Sequence, residues 1–174
     1  MRRQFLILIS LTTISVFTWG QNCSCISGTK DKKTGIETVG GLTNSKDFYS
    51  LLIQKKMSSG NDADAPTYFL SLVAASRVLL TDSMLKTKGT IVLKLTDNSL
   101  TTIDNVTYMN NPMGLTGSLG FQCEVSEDVI QTLSQNPIVL FTVEGILKTF
   151  FVPKKQKEQQ KIYTCLLSRK PKEK

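Results

Sequence analysis

There is no histidine among the 174 residues of this chain. That absence removes Ser–His–Asp and Cys–His nucleophilic sites, His-ligated zinc and a histidine general base together. Tryptophan occurs once, at Trp19 near the N-terminus, and aromatic residues reach only 7%. A sugar-binding platform of stacked rings therefore has little material to draw on. No Gly-rich phosphate loop is present: Gly40-Gly41 is an isolated pair with no Lys-Ser or Lys-Thr behind it. After Phe17 no uncharged apolar run approaches the roughly 18 residues of a membrane helix.

The motifs nearest to chemistry fail on detail. Thr116-Gly117-Ser118-Leu119-Gly120 has Thr where a nucleophile elbow needs Gly, and no strand-to-helix turn follows. Asp62-Ala63-Asp64 opens like a calcium loop, but Thr67 stands where the loop needs Gly and Val73 where it needs Glu. Paired carboxylates are the one hydrolytic device that works without histidine, and Glu37, Asp104, Glu124 and Glu144 lie on or beside expected strands. An ordinary scatter of surface acids is the plainer account of them. No catalytic residue, metal site or cofactor is expected.

What the chain does contain begins with export. Met1, Arg2 and Arg3 precede an uncharged apolar stretch, Phe5–Phe17, of signal-peptide length, and small Thr18 and Gly20 suit cleavage after Gly20. An uncleaved anchor or a core helix is the rival reading. Gly20, Gln21 and Asn22 before Cys23 lack the pattern of a lipoprotein signal. The expected organisation is a signal peptide over 1–20, a single globular domain over 21–169 and a basic tail over 170–174. The expected location is secreted or periplasmic, with no transmembrane span in the mature form.

Charge is uneven. The whole chain carries +7, yet residues 154–174 hold eight Lys or Arg against two Glu, while residues 21–152 are close to neutral. The basicity belongs to one terminal segment, so it argues for no nucleic-acid face on the domain. Lys154, Lys155, Lys157 and Lys161 form a candidate contact surface for an acidic partner, such as anionic lipid. Solvation of one helix face is the plainer account.

The cysteines are Cys23, Cys25, Cys123 and Cys165, all candidates for disulfides in an oxidising compartment. A bridge from Cys23 to Cys25 would close a strained ring. The favoured arrangements join Cys-Ser-Cys to Cys123, Cys165 or both, with Cys165 expected in at least one bridge. A redox or metal pair, or buried free thiols, are the alternatives.

Hydrophobic spacing predicts mostly strands. Residues up to about 45 are polar and Gly-rich, with a short strand at Gly35–Val39. Asp47–Met57 fits helix or strand and leans to strand. Alternation marks Pro66–Ala75, Thr90–Leu95 and Ser118–Val125, with a weaker Thr-rich strand at Leu100–Tyr108 after the turn Thr96–Ser99. Ser126-Glu127-Asp128 reads as a helix start that ends at Asn136-Pro137. Ile138–Val143 and Ile146–Val152 flank Glu144-Gly145 as a hairpin. Lys154–Arg169 reads as a helix with Ile162, Cys165 and Leu166 inward. The expected fold is mainly β, or α+β: an antiparallel sheet or small sandwich with one short helix and a C-terminal helix.

The expected function is a non-catalytic binding or interaction domain. A small carboxylate-dependent hydrolase is the alternative, and a structural subunit of a surface assembly a third. Asn105-Val106-Thr107 and Asn22-Cys23-Ser24 match the N-glycosylation triplet, and Asp82-Ser83-Met84 resembles a bacterial O-glycosylation signal. Triplets this loose carry little weight.

Overall fold

Strand alternation is the dominant local signal, and it becomes one antiparallel sheet. The computed structural model describes residues 23–45, 49–58, 65–75, 80–110, 118–143 and 146–170. In chain order the strands are β1 (Ser27–Lys30), β2 (Glu37–Asn44), β3 (Tyr49–Met57), β4 (Thr67–Ala75), β5 (Gly89–Leu95), β6 (Leu100–Asn110), β7 (Ser118–Val125), β8 (Ile138–Val143) and β9 (Leu147–Phe150). Helix α1 (Asp82–Lys86) precedes β5, α2 (Glu127–Gln135) follows β7 and α3 (Pro153–Ser168) follows β9. The nine strands lie in the order β1-β2-β3-β4-β7-β6-β5-β8-β9, every neighbouring pair antiparallel.

Of the two architectures expected, the sheet is the one observed. It is strongly curled: α3 touches β2 and β3 near one edge and β8 near the other, with α2 packed against α3. Period-two alternation supplies the inward face. Leu51 and Ile53 on β3, Leu70 and Leu72 on β4, Leu93 on β5 and Phe121 on β7 are all buried. They meet Ile130 and Leu133 of α2 and Ile162, Tyr163 and Leu166 of α3 in one core. Helix α3 lies so close to β2 that a Cβ at Gly41 would come within 2.6 Å of the Ile162 side chain.

A bulge turns β6 from one half of the sheet to the other. Gly89 faces Val106 and Ile91 faces Ile103, so Thr90 stands opposite both Asp104 and Asn105. Asn105 takes φ 60°, a left-handed conformation that Asn tolerates better than most residues. The extra residue resets the parity, and Ile103, Val106 and Tyr108 are all buried although the spacing between the first two is odd. This explains why the alternation of Leu100–Tyr108 is weak in the sequence.

The helix signals behave locally. Ser126 Oγ accepts from the Val129 N–H at 3.3 Å, and Glu127 and Asp128 occupy the positive first turn of α2. Pro153, expected to break a strand, also opens α3 from its first turn, where a missing N–H costs nothing.

Some details differ from the sequence expectation. Residues 27–30, read as part of a polar coil, form β1 because they pair with Glu37–Gly40. Residues 82–86, not read as structured, form α1 behind the Thr81 cap. Strand β9 ends at Phe150, short of Val152. Residues 1–20, expected to form a signal peptide, Glu144-Gly145, expected to form a hairpin turn, and the final residues from 171 lie outside the described residues.

Candidate functional site

The β6 bulge has a second consequence: it opens a fork. Pairing between β6 and β7 runs from Thr107–Asn110 against Leu119–Gln122 and then stops. Beyond that point β6 pairs with β5, and Cys123–Val125 of β7 pair with β4. A groove of about 640 Å³ occupies the fork, lined by Phe69, Lys88, Asp104, Asn105, Gln122 and Glu124, among others. Phe69, Gln122 and Glu124 alternate with inward-facing neighbours, which places the groove on the face turned away from the helices.

Its lining is polar and partly pre-ordered. Lys88 Nζ donates to Thr107 Oγ1 at 2.7 Å, and Thr90 Oγ1 donates to Asp104 Oδ1 at 2.8 Å. Lys56 Nζ sits 4.6 Å from the centroid of the Phe69 ring. Asp104 and Glu124 thus share one groove, but both side chains are exposed. Glu37, the third acid considered, is buried elsewhere, where its Oε1 accepts from Arg169 Nη2 at 2.9 Å. Glu144 lies outside the described residues.

A second polar cluster, not anticipated from the sequence, closes one end of the core. Lys55 points inward from β3, and its Nζ donates to the carbonyls of Leu166 and Arg169, each at 2.9 Å. These are carbonyls at or just past the C-terminus of α3, where a cation offsets the negative end of the helix dipole. The ammonium also lies 5.4 Å from the centroid of the Tyr68 ring. Tyr68 OH in turn donates to Glu127 Oε2 at 3.1 Å. Burial pushes Lys55 below the ordinary lysine range, against the pull of the Glu127 charge. Burial, reinforced by Glu127, pushes the Tyr68 phenol well above its usual range. The signal in the sequence was a charge at an apolar parity position: Leu51, Ile53, Lys55 and Met57 alternate on one face.

The cysteines divide three ways. Cys23 and Cys165 form a disulfide with Cα atoms 5.6 Å apart, tying the N-terminal turn to the last turns of α3. Cys25 is a free, exposed thiol whose Sγ lies 3.8 Å from Cys165 Sγ. Cys123, one of the bridge candidates, pairs with nothing: it faces the core from β7, and its Sγ donates to the Leu70 carbonyl at 3.6 Å. Burial pushes its thiol up to about 12.

The basic candidates are only partly brought together. Lys154, Lys157 and Lys161 are exposed along one stripe of α3, at helical spacing. Lys155 is half-buried and drawn aside by Glu158, at 2.8 Å. No helix among the described residues is long and apolar enough to cross a membrane. Among those residues no three Cys, Asp or Glu side chains gather as metal ligands. No family profile matches this chain, and no match was found among curated proteins or solved structures.

Proposed function

We propose that the chain is an exported, non-catalytic binding domain whose ligand is an extended peptide segment seated in the β6–β7 fork. The signal-like N-terminus motivates export, and a disulfide is compatible with an oxidising compartment. The fork is the observation that carries the binding reading. Two strands diverge there, so the facing edges of β6 before Thr107 and of β7 after Gln122 have no strand partner among the described residues. Such edges offer backbone donors and acceptors to an added strand. Asp104, Asn105, Gln122, Glu124 and Lys88 around them supply side-chain selectivity.

The test is selection of displayed random short peptides on the disulfide-intact domain, followed by binding to Asp104→Arg and Gln122→Arg variants. Enriched peptides should lose at least about tenfold in affinity on both, a loss of 1.4 kcal/mol. Peptides that bind the variants as well as the parent would refute the fork as the site. The hydrolase alternative rests on Asp104 and Glu124 sharing the groove. Turnover of chromogenic glycosides, abolished by both Asp104→Asn and Glu124→Gln, would replace binding with catalysis.

A further inference from the structure

We infer that Cys23, Cys25 and Cys165 form a thiol–disulfide exchange centre, in which Cys25 attacks Cys165, displaces Cys23 and gives α3 two interchangeable tethers. Three sulfurs meet at one place: Cys23 is bonded to Cys165, and the Cys25 thiol stands 3.8 Å from the same Cys165 sulfur. That separation is sulfur–sulfur contact, so attack needs only local rotation rather than a rearrangement of the fold. The Cys23-Ser24-Cys25 segment is a turn closed by the Ile26 N–H donating to the Cys23 carbonyl at 3.2 Å.

The helix end that carries Cys165 is held by contacts that do not depend on the bridge. Ser168 Oγ donates to the Cys165 carbonyl at 3.0 Å, Lys55 holds the Leu166 and Arg169 carbonyls, and Arg169 pairs with Glu37 at 2.9 Å. The two bridges span 142 and 140 residues, a difference that loop-closure entropy does not register. Only local geometry within the turn separates the isomers.

The step is balanced without an external oxidant. Cys25 gives its proton to solvent, and its thiolate attacks Cys165 Sγ in line with the existing bond. The Cys25–Cys165 bond forms as the Cys23–Cys165 bond breaks, and Cys23 leaves as a thiolate that takes a proton from solvent. Cys123 is a spectator, since it is 3% exposed on the core side of β7.

The experiment uses the full exported chain, isolated without reductant. N-ethylmaleimide labelling under native conditions, non-reducing digestion and fragment-ion mapping then locate the free thiol. Label should divide between Cys23 and Cys25, with both bridges to Cys165 present within about tenfold of each other. Isomers separated in acid and returned to mildly alkaline pH should each regenerate the same mixture. Cys23→Ser should retain a bridge through Cys25, and Cys25→Ser should retain only Cys23–Cys165. Label confined to Cys25 in the parent chain would overturn the proposal. So would isolated isomers that fail to interconvert, or free thiols at both Cys25 and Cys165 in Cys23→Ser.

Discussion

Replacing Lys55 by Met keeps the length of the side chain and removes its charge and its donors. The bond to the Leu166 carbonyl is buried, so that acceptor loses its partner with no easy access to water. An orphaned buried acceptor costs about 1–3 kcal/mol. The Arg169 carbonyl lies nearer the surface and rehydrates at little cost. Losing the cation at the α3 terminus adds about 0.3–1 kcal/mol. Met needs no desolvation, which returns part of this, and the net loss is about 2 kcal/mol. For a domain of this length that is about 4–8 °C in Tm.

The pH dependence gives the argument a second edge. Lys55 titrates below its ordinary value of 10.5 in the folded chain. Between the folded and unfolded pKa values the unfolded chain binds more protons, so wild-type stability rises with pH across that window. Met carries no proton, and the gap between wild type and variant should therefore widen as pH climbs towards 10.5. Urea denaturation followed by circular dichroism at neutral and alkaline pH, with the disulfide intact, reads both effects. Lys56→Met, at the exposed neighbouring position, is the control and should stay within about 1 kcal/mol of wild type, since it loses only a contact with the Phe69 ring. A Lys55→Met protein as stable as wild type at neutral pH, or a gap that narrows with pH, would refute this account.

Gly41→Ala should destabilise by about 1–3 kcal/mol, because its Cβ meets the β-branched Ile162 side chain. In the Ile162→Ala background the Gly41→Ala penalty should largely vanish, and a double-mutant cycle by the same denaturation checks that contact. Leu93→Asp should prevent folding or cost more than about 4 kcal/mol, since it places an unpaired charge at a fully buried position. Lys94→Asp, half-exposed on the other face, should be mild, and equal costs would reverse the face assignment of β5. If the basic stripe of α3 binds anionic lipid, the protein should sediment with anionic vesicles at low salt and be released at high salt. Lys154→Gln, Lys157→Gln and Lys161→Gln together should abolish that, and no sedimentation at low salt in wild type would exclude lipid attachment.

Features that depend on a few neighbouring residues were legible in the sequence. The period of two along Ser118–Val125 matches β7 end to end, and Ser126-Glu127-Asp128 announced α2 because a cap and a dipole act within one turn. The body of α3, the turn after Leu95 and the predominance of strands follow from the same local rules. The candidate site was not legible. Asp104 and Glu124 stood among four candidate acids with nothing to pair them, and the groove that joins them exists only because β7 lies between β4 and β6 and a bulge at Asp104–Asn105 turns β6 away. Strand order and register are chosen by contacts between distant segments, and local patterning says which face is buried but not which strand is adjacent. Lys55 shows the limit most clearly. Its inward parity was visible in the sequence, whereas its partner, the Leu166 carbonyl, lies 111 residues away. The cysteines follow the same rule. The sequence favoured bridges from Cys-Ser-Cys to Cys123, Cys165 or both, and only the docking of α3 beside the N-terminal turn brought Cys23 and Cys25 to Cys165 and left Cys123 in the core.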